Sequence, residues 1–256
     1  MEASKGFRLR WPHYLLAAFV YLLALVAWTP ASLLGWALPR FTQQAVTLGE
    51  PQGTLWHGSA ARLQVQAAGK AQQLGRVDWQ LRPLDLFTGR LGYRLQLGGA
   101  GIDARATLRA GMAGTELREV RAELPAQLLG EFSPDFALWQ PGGRLALEAE
   151  RLALGKKGGE GKAVVRWRNA ASGRVNQPLG SYRADLEGTD QGVAIKLSTE
   201  SGALVLQGAG LWRQKGGLSF NGTARPTPAS RDQLDGLLSL IGAAQADGSR
   251  AIRIGR

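Results

Sequence analysis

Few side chains in this sequence could carry covalent or proton-transfer chemistry, and their spacing speaks against a reaction centre. There is no cysteine, which excludes a thiolate nucleophile, a disulfide framework and an iron–sulfur cluster. The two histidines are His13 and His57. His57 sits in Gly53-Thr54-Leu55-Trp56-His57-Gly58, a setting that reads as a turn or strand edge, and no Gly-x-Ser-x-Gly elbow accompanies it. Glu148 and Glu150 stand two apart, so on one strand they would share a face as acid–base carboxylates do. Arg151 follows them directly, and a solvated strand face accounts for the pair. Gly98-Gly99-Ala100-Gly101 resembles a phosphate loop in composition only. It precedes a predicted strand, so it lacks the helix N-terminal amides that hold a phosphate, and it reads as a hairpin. No cluster has metal-ligand spacing. The expectation is a chain with no catalytic, cofactor-binding or metal-binding residues and no cofactor.

The remaining chain must then act by position and contact, and its first element sets the position. From Tyr14 to Leu38 no residue is charged, and Leu15 to Leu34 would form a helix spanning about 30 Å, the depth of a bilayer hydrocarbon core. Lys5, Arg8 and Arg10 precede it, whereas Arg40 alone lies close on the far side, which predicts a cytoplasmic N-terminus. Trp11 and Tyr14 at one end and Trp28 and Trp36 toward the other suit interfacial belts. A cleaved signal peptide is the competing reading, but Leu25-Val26-Ala27 lacks a small first residue and Thr29-Pro30-Ala31 puts proline inside the site. The expected organisation is a basic tail over 1–13, a retained membrane anchor over 14–38 and an exported β-rich domain over 39–256, with a possible subdivision near 125–143.

Formal net charge is +11, and without Lys5, Arg8, Arg10 and Glu2 there remain 28 basic against 19 acidic residues. The basic residues are dispersed, as on a solvated sheet face. They favour membrane lipid or acidic partners, and the predicted outward topology disfavours nucleic acid.

Beyond the anchor, Pro39 to Leu48 reads as a short helical or irregular exit ended by Gly49-Glu50-Pro51. Period-two alternation follows in Leu63/Val65/Ala67, Val77/Trp79/Leu81, Leu91/Tyr93/Leu95/Leu97 and Ile102/Ala104/Ala106/Leu108. Short Gly-rich linkers predict antiparallel hairpins. Leu124 to Trp139 interrupts the pattern with one short helix before Pro134. Strands resume over 144–154, 163–168, 180–187, 193–199, 203–212 and 218–224. Ser230-Arg231-Asp232-Gln233 reads as a capping box opening a helix through Leu234, Leu237, Leu238 and Ile241, closed by Gly242, and 250–254 as an edge strand. The fold class expected is mainly β: an N-terminal single transmembrane helix, then a curled antiparallel β-sheet of roughly ten strands (open barrel, groove or sandwich) with one or two short helices.

Tryptophan and glycine recur in a set order: Gly53–Gly58, Val77–Pro83, Pro178–Ala184, Ser201–Gly208, Gly210-Leu211-Trp212 and Leu234–Gly242 running into Asp247-Gly248, all behind an anchor ending in Leu38-Pro39. In this combination the chain resembles, over essentially its whole length, the protein N family of the type II (general) secretion pathway of Gram-negative bacteria. The resemblance implies a bitopic inner-membrane protein with a periplasmic domain, an accessory part of the secretion apparatus without known enzymatic activity. It supplies no catalytic residues. It also implies other inner-membrane and periplasmic subunits of that system as partners. The second reading is a membrane-anchored periplasmic lipid-binding or lipid-transfer groove of the kind involved in outer-membrane biogenesis. There, small residues such as Ala104, Ala106, Ala184 and Ala194 would leave room for acyl chains.

Overall fold

The computed structural model describes residues 11–67, 70–112, 114–132, 137–155, 158–175, 177–213 and 216–231, together with 233, 234, 236, 238, 245 and 248–255. The basic residues before Trp11, Lys156-Lys157, Pro134, Phe136, Leu237, Ile241 and Gly242 lie outside the described residues.

The apolar N-terminal run is helical but not continuous. α1 (Trp11–Ala27) ends before Pro30, and α2 (Ser32–Phe41) restarts beyond it. Pro30 has no N–H to donate and its ring would collide with the carbonyl one turn back, so a single helix from Leu15 to Leu34 cannot form without a kink. The 17 residues of α1 span about 26 Å at 1.5 Å per residue. No helix among the described residues is long and apolar enough to cross a membrane. Leu15, Leu16, Phe19 and Tyr21 are all more than half exposed.

The break is also where the helices join the sheet. Ala31 N–H donates to the Gly53 carbonyl at 3.0 Å, and Leu55 N–H donates to the Thr29 carbonyl at 2.8 Å. Pro30 thus bridges Thr54 at the turn between β1 (Val46–Gly53) and β2 (His57–Ala67), and α2 packs on β1.

Eleven further strands follow: β3 (Lys70–Leu81), β4 (Leu91–Gly99), β5 (Ile102–Gly111), β6 (Gly114–Pro125), β7 (Pro141–Gly155), β8 (Gly158–Ser172), β9 (Gly180–Thr189), β10 (Gly192–Gly202), β11 (Leu204–Arg213), β12 (Gly217–Pro226) and β13 (Arg250–Ile254). They form one 13-stranded antiparallel sheet in chain order, each strand beside its sequence neighbour. β1 and β13 are the two edges, so among the outcomes left open by the alternation the sheet is an open one, neither a closed barrel nor a sandwich.

Two strands, β1 and β6, lie where the sequence alternation predicts none. In β6 the inward residues run Thr115, Leu117, then Val120, Ala122, Leu124, a step of three in the middle. Glu119, at φ 52°, is the extra residue of a β-bulge opposite β5, and that single insertion hides the alternation. In β1 the register against β2 runs on without a shift, and Glu50 at φ 55° stands between Leu48 and Pro51, three residues apart. Pro51, read from sequence as a terminator, lies inside β1, where an edge strand does not require its N–H.

The helical pieces are short. α3 (Pro83–Leu86) fills the β3–β4 connection, and α4 (Leu128–Phe132) is the short helix predicted before Pro134. Ser230 ends a 3₁₀ turn, Pro228–Ser230, and its hydroxyl accepts from Thr227 Oγ1 at 3.2 Å. The helical residues Leu234 and Leu238 beyond it are buried.

Candidate functional site: an open apolar sheet face

Residues paired across an antiparallel ladder point to the same face, so the register traces each face strand by strand. One row runs Pro51, Ala60, Val77, Leu97, Ala104, Ala122, Leu147, Val165, Ala184, Leu197, Gly208, Gly222, Ile252. It crosses all 13 strands without one polar side chain. At about 4.8 Å per strand the row is roughly 58 Å long. The parallel row on the other face runs Ser59, Asp78, Gln96, Arg105, Arg121, Glu148, Val164, Asp185, Lys196, Ala209, Asn221, Arg253. One face is greasy from end to end, and the other is charged.

The apolar face is covered at its two ends. At the first, Ala31 and Leu34 lie with Ala60, Trp79, Leu48, Val77, Tyr93 and Leu95. At the second, the buried Leu234 and Leu238 join Ala170, Leu179, Tyr182, Leu204 and Ala224, with Trp139, Trp167 and Ile252 against them. Between these patches Ala104, Ala106, Leu108, Leu117, Val120, Ala122 and Leu147 are only half-buried. The floor there is shallow because alanine alternates with leucine. Of the four small residues expected to leave room, Ala104, Ala106 and Ala184 share this face. Ala194 does not: it pairs with Glu187 and Leu211 and lies on the charged side, because Val193 and Ile195 take the apolar positions of β10.

The Trp–Gly motif has a packing cause. Gly53 turns at φ 85°, and a Cβ there would meet the His57 carbonyl at 2.6 Å. At Gly58 a Cβ would lie 2.7 Å from the Trp79 ring. The missing side chain lets the indole cross β2 and donate from Nε1 to the Thr54 carbonyl at 3.1 Å. His57, read from the sequence as a turn or strand-edge residue, is the exposed first residue of β2, its N–H donating to Thr54 Oγ1 at 3.1 Å. Tyr182 does the same work at the far patch. Its hydroxyl donates to the Leu204 carbonyl at 2.9 Å, its ring meets Trp167 edge-on, and burial pushes its phenol up.

On the charged face arginines oppose one another directly across strands: Arg105 and Arg121, Arg118 and Arg151, Arg144 and Arg168, Arg166 and Arg183. Such pairs repel, and carboxylates interleave with them. Glu123 faces Arg144 and Arg168, each at 3.7 Å, Glu148 pairs with Arg166 at 3.1 Å and Asp185 with Arg183 at 2.7 Å. The Arg183 hydrogen bond outweighs desolvation at Asp185 and holds its carboxyl below the ordinary value. Buried Glu116 takes Arg118 at 2.9 Å and Arg151 at 3.0 Å, with Arg90 and Arg109 farther out. Burial opposes its ionisation, but the surrounding guanidinium groups prevail and its pKa is lowered. Buried Asp85 on α3 pairs with Arg109 at 3.0 Å and Arg82 at 3.5 Å. The sequence reading passed over Asp85 and Glu116, whose one signal was an arginine within three residues of each. Glu148 is committed to Arg166, and Glu150 sits at a register shift in β7. Among the described residues no three His, Cys, Asp or Glu side chains come together as a metal ion requires.

Comparison with known proteins gives one family. The family model described as "Type II secretion system (T2SS), protein N" matches residues 44–253, from just ahead of β1 to the penultimate residue of β13. The chain is similar to the type II secretion system protein N of Klebsiella pneumoniae, at 29% identity over 228 residues covering 84% of this chain and 83% of that protein. No solved structure matches it. With a family model spanning the whole 13-stranded sheet, the chain belongs to the type II secretion system protein N family.

Proposed function

We propose that this protein is a non-catalytic accessory component of the type II secretion machinery in the inner membrane, with its N-terminus in the cytoplasm and its sheet in the periplasm. It acts by contact with other subunits of the machine. The observation that carries the reading is the sheet itself: a large apolar face half-buried over its middle strands, and a short edge strand, β13, that pairs among the described residues with β12. An open edge accepts a further strand, and a greasy face accepts an apolar surface. α1 serves as the tether. It falls about 4 Å short of an average bilayer core, a mismatch that membrane thinning absorbs at fractions of a kcal/mol per Å. The test is a photo-crosslinking residue at Ala251 on β13, introduced in cells that assemble the machine. A crosslink to a secretion subunit is expected. Absence of any such adduct, with secretion intact in a deletion strain, sinks the reading.

The alanine and glycine floor of the apolar row favours a second reading, in which the middle of the face holds acyl chains. A photoreactive fatty acid should then label β5 to β7 of the full chain. Ala122→Arg should abolish that labelling while leaving the far-UV circular dichroism unchanged. Equal labelling of the charged face would remove this reading.

A further inference from the structure

Every second connection of the sheet lies at the same end as the α1–α2 break, because strands alternate in direction and Thr29 to Ala31 are bonded to the β1–β2 turn. The next connections at that end are β3–β4, which carries α3, and β5–β6. They stand about 10 and 20 Å along the sheet from the break.

These connections carry large apolar side chains that the described residues leave exposed. Leu84 is 74% exposed and Phe87 88%, and Met112 at the β5–β6 tip is fully exposed. Solitary exposed apolar residues need no explanation, but several at adjoining tips on one end of a sheet form a patch. Behind them stand Arg82, Arg90, Arg109, Arg118 and Arg151, held in place by the carboxylates of Asp85 and Glu116. Five guanidinium groups against two carboxylates leave three positive charges around an apolar tip. Gly92 is part of the construction: a Cβ there would lie 1.9 Å from Asp85 Oδ2, so only glycine lets α3 fold down onto the arginines.

We infer that the β3–β4 and β5–β6 tips form a second membrane contact, in which Leu84, Phe87 and Met112 enter the interfacial zone of an anionic phospholipid bilayer and the arginine collar meets lipid phosphates. Apolar tips ringed by cations match a bilayer surface, which is greasy below and anionic above. A flat protein partner does not require that layering. The inference rests on the reading of α1 as the tether for its geometry, since the tether delivers this end of the sheet to the same bilayer. Two contacts, one covalent with the chain and one peripheral, would fix the tilt of the sheet over the membrane.

The absence of cysteine makes the test direct. Full-length protein is reconstituted into vesicles of phosphatidylcholine and phosphatidylglycerol with single cysteines at Phe87, Met112, Leu16 on α1 and Ala100 at the opposite end of the sheet. Each is labelled with an environment-sensitive dye and challenged with spin-labelled lipid. Blue-shifted emission and quenching are expected at 87 and 112 but not at 100. Quenching at both tips should be lost with Arg90→Glu/Arg151→Glu, and raised salt provides the same challenge with no substitution should that variant misfold. Tip labels that behave like Ala100 overturn the proposal. The Leu16 label reports the tether separately, so quenching at 16 without quenching at 87 and 112 rejects the second contact and leaves the tether standing. Quenching at the tips without quenching at 16 does the reverse.

Discussion

Tyr182 and Glu116 are single residues on which the two faces of the sheet depend. Tyr182 is 2% exposed and gives its hydroxyl to the Leu204 carbonyl, two strands away in the order of the sheet. Tyr182→Phe keeps the edge-on contact with Trp167 and removes only that bond, so a loss of about 1 kcal/mol in denaturant unfolding is expected. Glu116 acts through its charge. Its pKa is lowered in the fold, so its stabilising effect is fully present above the ordinary carboxylate value and lost as pH falls through the folded one. Stability should therefore decline on acidification. Glu116→Gln should lower stability at neutral pH and flatten that decline, because the arginines it holds are left facing one another. An acid limb unchanged by the substitution would count against this assignment.

At the scale of elements, the first two strands depend on residues that look like breaks in the sequence. Gly53 and Gly58 bracket a turn whose geometry admits the Trp79 indole and receives the backbone of Thr29 and Ala31. Gly58→Ala would drive a methyl into the ring and the Gln52 carbonyl, with an expected cost of about 1–3 kcal/mol. Trp79→Ala should cost about 3–5 kcal/mol by opening the patch beneath α2. Both variants should expose the α2–β1 junction to proteolysis, while Ala100, at the far end of the sheet, stays protected to its wild-type extent. A bulge explains why alternation concealed β6. Glu119 inserts one residue in a left-handed conformation, which shifts the apolar positions by one and keeps the same face greasy on both sides of the shift.

Among the described residues the molecule is nearly one-dimensional, since each strand pairs with its neighbours in sequence and the two buried patches lie at opposite ends. Such arrays lose cooperativity when their middle is thinly packed. Amide hydrogen exchange through a denaturant series, read separately for β2–β3 and for β9–β11, should give two non-coincident transitions. A single shared midpoint would show that the half-exposed centre couples the ends more strongly than its burial implies.

The sequence by itself determined the mainly β architecture, the antiparallel hairpins, the apolar helix at the N-terminus and the family resemblance. Period two, glycine-rich turns and an uncharged run are local signals, written within a few residues. Tertiary structure alone decided that the sheet stays open and that Pro30 ties the helices to the β1–β2 turn. It also decided that Ala194 faces the charged side and that Asp85 and Glu116 gather five arginines. Closure and register depend on the sum of twists and bulges over 13 strands, and ion-pair networks on residues brought together from several of them, so no local stretch of sequence contains either.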